Sequence, residues 1–230
     1  MIEFFDLVKG SSRAVTAVVS AYNEAETIGD VVRVLASSPF FNEVLVVSDG
    51  STDRTAEMAR EAGATSVIEL SRNGGKGAAM LEGVRKTQAP IIAFFDADLR
   101  GLTCSHIEQL VRPVLSGRVS MSVGLRDRGR FFTLLSRFLP LIGGERVLCR
   151  ELIEKIPPTY LQGFMVESAL NYICRFRRLS SSSVLLSGLT IRRKYEKVGW
   201  RRGLWQYLRM FAQVGWAMGR VRWARHIGKF

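Results

Sequence analysis

The chain has 230 residues, 47% of them hydrophobic, and a formal net charge of +12, long enough for one α/β domain with a full core and room for a small appendage. The charge is divided: residues 1–116 carry net −4 and residues 117–230 net +16, so the second half seeks an anion such as substrate phosphates, nucleic acid or an acidic membrane surface. Cys104, Cys149 and Cys174 are odd in number and widely spaced, which excludes a disulfide framework or a Cys-x-x-Cys zinc site and fits a reducing compartment.

Met1–Asp6 has neither a basic start nor a long apolar run, so no signal peptide is expected. No window of about 18 apolar residues predicts a spanning helix. The next stretch alternates between apolar strands and amphipathic helices, as βαβ units do. Strands are predicted at Val15–Ser20, Val44–Ser48, Ser66–Leu70, Pro90–Phe95 and Val119–Gly124. Helices are predicted at Glu24–Ala36, Thr55–Ala62 (capped by Thr52 or Asp53 and ended at Gly63), Gly75–Lys86 and Ser105–Leu115. Strands this apolar on both faces fit a mostly parallel sheet covered by helices. Beyond Gly124 the pattern loosens. Arg126–Arg130 reads as a basic loop, Glu151–Lys155 and Phe164–Phe176 as helices, Ser180–Ser183 as a turn or linker, and Val184–Ile191 as a last strand.

Polar clusters sit at the carboxyl ends of the strands, where ligands of such sheets bind. In order they are Ser20-Ala21-Tyr22-Asn23-Glu24, Ser48-Asp49-Gly50-Ser51-Thr52-Asp53, Ser71-Arg72-Asn73-Gly74-Gly75-Lys76-Gly77 and Asp96-Ala97-Asp98-Leu99. Two carboxylates one residue apart have no place inside a buried strand, because each unpaired charge is costly to desolvate. At a strand end they can share a divalent cation and a diphosphate. Alone, Asp-x-Asp also fits a solvated turn. The glycine-rich turn could present backbone N–H groups and Lys76 to an anion, or merely turn the chain. No Gly-x-Gly-x-x-Gly follows the first strand, which disfavours a dinucleotide oxidoreductase. Gly75-Lys76 lacks the Ser or Thr and the upstream Gly of a P-loop.

Taken together, Ala21-Tyr22-Asn23-Glu24, Asp49-Gly50-Ser51-Thr52-Asp53, Asn73-Gly74-Gly75-Lys76-Gly77 and Asp96-Ala97-Asp98-Leu99 resemble the nucleotide-sugar half of family 2 glycosyltransferases with the GT-A fold. Within that superfamily the chain is similar to polyprenyl- or dolichyl-phosphate sugar transferases and to glucosyl-3-phosphoglycerate synthases. The resemblance implies an α/β, Rossmann-like, mostly parallel sheet flanked by helices, with a nucleotide-sugar half at about 14–116 and an acceptor half at about 117–195. It implies that Ala21, Tyr22 and Glu24 lie against the nucleoside, Glu24 near the ribose or base. Asp49 would accept a base N–H, Lys76 would lie near the base and phosphates, and Asp96 would hold the ribose or a water on the metal. Asp98, with Asp96, would bind Mg²⁺ or Mn²⁺. Gly143-Gly144-Glu145-Arg146-Val147-Leu148, followed by Arg150, resembles the acceptor-side loop. There Arg146 or Arg150 would grip an acceptor phosphate, or be a surface arginine. Glu167 would be a base or acceptor-positioning group, or a charge satisfied by a nearby Arg. Many relatives carry a His after the last strand; here Ile191-Arg192-Arg193-Lys194 stands in that region. Arginine cannot bind a metal, so Arg192 or Arg193 would contact the diphosphate directly.

Trp200, Trp205, Trp216 and Trp223 are all the tryptophans of the chain. On a helix with 3.6 residues per turn, Trp205, Ala212, Trp216 and Trp223 share one stripe flanked by Arg202, Arg209 and Arg220. Residues 196–230 therefore read as a basic amphipathic C-terminal helix for a membrane interface, or for a sheet or dimer contact. No RNA-binding signature is present, and the nucleotide half is acidic, so nucleic acid is not expected.

The expected activity is transfer of a sugar from a nucleoside-diphosphate sugar, UDP-linked rather than GDP-linked. The preferred acceptor is a polyprenyl phosphate or other anionic lipid, met by a cytoplasmic, peripherally bound enzyme at the inner membrane face. Two alternatives remain: a soluble phosphorylated acceptor, as in glucosyl-3-phosphoglycerate synthesis, and a non-catalytic membrane- or partner-binding module on the same scaffold.

Overall fold

The computed structural model describes residues 15–126, 144–156 and 165–191. Strands are β1 (Val15–Ala21), β2 (Glu43–Ser48), β3 (Ser66–Glu69), β4 (Ile91–Asp96), β5 (Leu99–Arg100), β6 (Met121–Arg126), β7 (Arg146–Cys149), β8 (Ser181–Leu186) and β9 (Thr190–Ile191). Helices are α1 (Ile28–Ala36), α2 (Thr55–Glu61), α3 (Lys76–Lys86), α4 (Cys104–Leu115), α5 (Arg150–Glu154) and α6 (Met165–Phe176).

One seven-stranded sheet has the order β3-β2-β1-β4-β7-β6-β8. β1 to β4 run parallel, β7 lies antiparallel between β4 and β6, and β8 is parallel to β6. The mostly parallel, helix-flanked sheet is thus the expected one. Alternation along the strands sorts side chains to two covered faces. Val19, Val46, Ala93 and Phe95 meet α1 and α4 on one face. Val18, Leu45, Ile92 and Phe94 meet α3 and α6 on the other.

Local differences from the sequence reading have identifiable causes. α1 starts at Ile28, because the carbonyl of Glu24 takes the N–H groups of Thr27 (3.1 Å) and Ile28 (3.0 Å) in a preceding turn. The serine run is not a linker: Ser181–Ser183 pair with Met121–Val123 and open the edge strand β8. Backbone pairing needs no apolar side chain, and an edge strand tolerates polar ones. That strand ends at Leu186, and Thr190–Ile191 pair separately with Leu99–Arg100. Residues Arg146–Cys149, read as part of a loop, are a buried strand, and Arg126 ends β6 rather than opening a loop. Asp127–Arg130, Arg192, Arg193 and residues 196–230, where a tryptophan-rich helix is expected, lie outside the described residues. Among the described residues no helix is long and apolar enough to cross a membrane.

The α3 face is packed against β1 to the point where a glycine is required. A Cβ at Gly83 would come to 2.4 Å from Cγ1 of the fully buried Val18. Gly83→Ala is therefore expected to destabilise by about 1–3 kcal/mol through overpacking, although alanine favours a helix interior by about 1 kcal/mol. The denaturation midpoint should fall, and Val18→Ala should restore part of the loss. An unchanged midpoint in Gly83→Ala would show slack at this contact.

Candidate active site

The register brings the carboxyl ends of the parallel strands level. Ser20 pairs with Val47 and Asp96, and Ala21 with Ser48. The loops leaving β1 and β2 are then tied to each other. Asn23, in the left-handed region at φ 54°, accepts from the Thr52 N–H at 2.9 Å through Oδ1 and donates its own N–H to Ser51 Oγ at 3.1 Å. The Glu24 N–H reaches Thr55 Oγ1 at 2.8 Å, and the Ala25 N–H reaches Asp53 Oδ2 at 3.2 Å. Asp53 also takes the Thr55 N–H at 3.0 Å and the Thr55 hydroxyl. Burial would raise its pKa, but these bonds outweigh burial and hold it below the usual range. Of the expected nucleoside wall, Ala21 and Glu24 are buried and Tyr22 is exposed.

Asp49, expected to accept a base N–H, already accepts two backbone amides in this structure. Its carboxylate is 3% exposed, and its oxygens take the N–H groups of Gly74 at 2.7 Å and Gly75 at 2.8 Å. Buried loop amides need acceptors, and a carboxylate also suits the positive end of α3. Asp49 thus fastens the glycine turn that delivers Lys76.

At the centre is a chain of alternating charges: Glu167, Lys76, Asp96, Arg126, Glu145. Lys76 Nζ lies 2.6 Å from Asp96 Oδ1 and 2.9 Å from Glu167 Oε1. Arg126 lies 2.8 Å from Asp96 Oδ2 and 2.6 Å from Glu145 Oε1, and its Nε donates to Glu145 Oε2 at 3.1 Å. Five segments meet here: the starts of α3 and α6, the ends of β4 and β6, and the residue before β7. Burial would raise the pKa of Asp96, but Lys76 and Arg126 outweigh it and hold the carboxyl at about 2. Burial likewise pushes Lys76 and Arg126 down, and their carboxylate partners overcome it, leaving both pKa values raised. For Glu145 burial prevails over Arg126, and its pKa is raised.

For Glu167 the sequence allows a base, an acceptor-positioning group or a satisfied charge. The cation that satisfies it is Lys76. The charge of Glu167 also opposes, without overcoming, the burial that lowers the pKa of Arg146. The structure does not bring Arg146 and Arg150 to the surface of the site as acceptor contacts. Arg146 is fully buried, its guanidinium donating to Asn171 Oδ1 at 2.8 Å. Arg150 donates to the carbonyls of Thr87 (2.6 Å) and Val84 (2.8 Å) and to Glu154. Those carbonyls end α3, about 15 Å along its axis from Lys76, where a cation suits the negative end of the helix.

Arg126 and Glu145 are the site residues that sequence reasoning missed. The available signal was positional: Arg126 closes the mostly buried strand Met121–Leu125 as Asp96 closes Ile91–Phe95. Asp98, partly buried next to this chain, adds its charge to those that raise the Arg126 pKa. Asp96 and Asp98 offer hard oxygen donors of the kind that Mg²⁺ or Mn²⁺ takes from one or two carboxylates, with substrate phosphates and water completing the shell. Room beside Asp96 is preserved by Gly144, where a Cβ would come to 2.1 Å from Asp96 Oδ2. Among the described residues no group of three or more His, Cys, Asp or Glu could hold a metal by itself. A cation fits this donor set when the diphosphate supplies further oxygens.

The family model "Glycosyl transferase family 2" matches residues 16–179. Glycosyltransferase AglJ of Haloferax volcanii is 32% identical over 74% of this chain and 61% of its own length. Glucosyl-3-phosphoglycerate synthase of Mycolicibacterium smegmatis is 28% identical over 79% of this chain and 70% of its own. The chain thus spans less than two thirds of the first of these relatives. The structure of the glucosyl-3-phosphoglycerate synthase of Mycobacterium tuberculosis, in complex with Mn²⁺, UDP and phosphoglyceric acid, superposes with a TM-score of 0.68. It is 27% identical, over 86% of this chain and 78% of that one.

The charge chain has a pH signature. Asp96, at about 2 in the folded protein against an ordinary 3.8, contributes stability that is complete above the unfolded value and lost as pH falls toward 2. The loss is about 2 kcal/mol. Glu145, raised above 4.5, works in the opposite sense, costing stability as pH rises through and beyond 4.5. Urea midpoints between pH 5 and 2 should therefore drop in wild type and flatten below pH 4 in Asp96→Asn. An equally steep drop in that variant would assign the acid sensitivity to other groups.

Proposed function

The chain belongs to glycosyl transferase family 2, and from that premise we propose that it moves one sugar from a nucleoside-diphosphate sugar, UDP-linked rather than GDP-linked, to a phosphate-bearing acceptor. The observation that carries this reading is Asp96, held between Lys76 and Arg126 at the strand ends, with Asp98 next to the pair. Clustered buried charge is expensive and adds little to stability compared with apolar packing, so a site kept only as scaffold has no need of it. The UDP preference draws support from the mycobacterial synthase solved with Mn²⁺ and UDP.

In this reading Asp98 and Asp96 would hold Mg²⁺ or Mn²⁺, which when bound neutralises charge on the leaving diphosphate. Lys76 supplies a second positive charge at the same strand ends. It is positioned by the Asp49-bound glycine turn on one side and by Glu167 on the other. Tyr22 and Glu24 would face the nucleoside. A phosphate acceptor is already ionised near neutral pH, so no strong general base is required, and Glu167 serves to hold Lys76 and orient the acceptor.

Between the two sources of acceptor phosphate, the +16 charge of residues 117–230 favours a polyprenyl phosphate met at an anionic membrane face. That acceptor calls for a cytoplasmic enzyme bound peripherally at the inner membrane, with Arg192, Arg193 and the tryptophan-rich helix toward phosphates and lipid. A soluble phosphoglycerate is the second reading. It draws support from the mycobacterial glucosyl-3-phosphoglycerate synthases, one of them solved with phosphoglyceric acid bound.

Calorimetry with UDP and GDP, with and without Mn²⁺, tests the donor site. UDP is expected to bind in a metal-dependent way, GDP more weakly, and Asp98→Ala to weaken binding at least 10-fold. Failure of a folded wild-type protein to bind either nucleotide would overturn the transferase reading. Incubating UDP-[¹⁴C]glucose with polyprenyl phosphate in anionic vesicles, or with 3-phosphoglycerate in solution, separates the two acceptors by which product carries label.

A further inference from the structure

We infer that Arg126 and Glu145 form a positioning pair that fixes the carboxylate of Asp96 at the end of β4. The inference rests on the reading that Asp96 and Asp98 hold the cation of the donor. The two residues come from different strand ends, Arg126 closing β6 and Glu145 immediately preceding β7. A main-chain bond sets their relative height, the Gly124 N–H donating to the Glu145 carbonyl at 2.8 Å.

The guanidinium makes a fork. Nε and a terminal nitrogen meet the two oxygens of Glu145 at 3.1 and 2.6 Å, and the same terminal nitrogen reaches Asp96 Oδ2 at 2.8 Å. The Glu145 side chain is fully buried and that of Arg126 is 10% exposed. A fully buried carboxylate contributes less to stability than an apolar side chain of its size. What the pair supplies is direction, because a planar guanidinium gripped at two points has little freedom at the third. Oδ1 of Asp96 is turned to Lys76 and Oδ2 to Arg126, so both oxygens have set directions. The missing Cβ at Gly144 allows this, since a side chain there would strike both Asp96 Oδ2 and the Arg126 guanidinium. Partners that orient a ligating carboxylate typically change metal affinity 10- to 100-fold when removed.

The test uses Glu145→Gln and Arg126→Lys in the full chain. Glu145→Gln keeps the shape of the side chain but loses its charge and one acceptor. Arg126→Lys keeps a cation that cannot serve both carboxylates. In the presence of UDP, Mn²⁺ affinity read from the spin-resonance signal of free Mn²⁺ is expected to fall about 10-fold in each. In steady state kcat at low Mn²⁺ should fall and be regained as Mn²⁺ is raised, a rescue that a misfolded core would not show. If either variant fails to fold, the other carries the test. Wild-type Mn²⁺ affinity in a folded variant overturns the pair's role. A wild-type protein that takes up no Mn²⁺ with UDP overturns the metal reading itself, and the pair's role with it.

Discussion

The structure is organised around one carboxylate that is largely withdrawn from water and yet has to stay charged. Asp96 ends the central strand β4 with a cation on each oxygen, and each cation is held in turn by a second carboxylate. Breaking a buried ion pair by removing one partner typically costs about 3–5 kcal/mol, because the survivor is left uncompensated. The alternating chain avoids that cost only if five segments from distant parts of the sequence arrive together. The constraint therefore extends well beyond the site. It draws in the starts of α3 and α6 and the end of β6, where its members lie, and it leaves no room for a side chain at residue 144.

Parallel strands make this arrangement possible. Ser20, Val47 and Asp96 are level by register, so the loops that follow these strands share one rim. The loops are then joined by polar side chains acting on backbone. Asn23 bonds across to Thr52, Asp53 to Ala25, and Asp49 to Gly74 and Gly75. Each bond satisfies an amide that would otherwise be costly to leave without a partner. Together they present Lys76 and the Asp96–Asp98 pair from a rigid rim, which is what stabilising charge on a leaving diphosphate demands.

How legible this was depended on whether a residue's role was local. The four motifs from Ala21 to Leu99 lie where chain order and apolar periodicity put them, since βαβ units bury continuous apolar runs and leave polar residues at strand ends. Arg126 was assigned to a loop and Arg146–Cys149 to another, because a short strand among charged residues carries no periodic signal. Ser181–Ser183 misled for a similar reason: an edge strand is specified by its neighbour's backbone. Arg150 carried the right charge for a phosphate, yet it ends at the carbonyl end of α3.

The sequence by itself determined the alternation of main strands and helices up to about residue 124, the strand-end carboxylates and the family, because those follow from short-range pattern and from motifs that must be contiguous to work. Tertiary structure alone decided who partners whom. Nothing in the order of residues says that Glu167 shares Lys76 with Asp96, that Glu145 aims Arg126, or that Asp49 serves the glycine turn. Those pairings join residues separated by 19 to 91 positions. They are chosen by the requirement that every buried charge find an opposite charge or hydrogen-bond partners, which can be met only once the sheet has assembled.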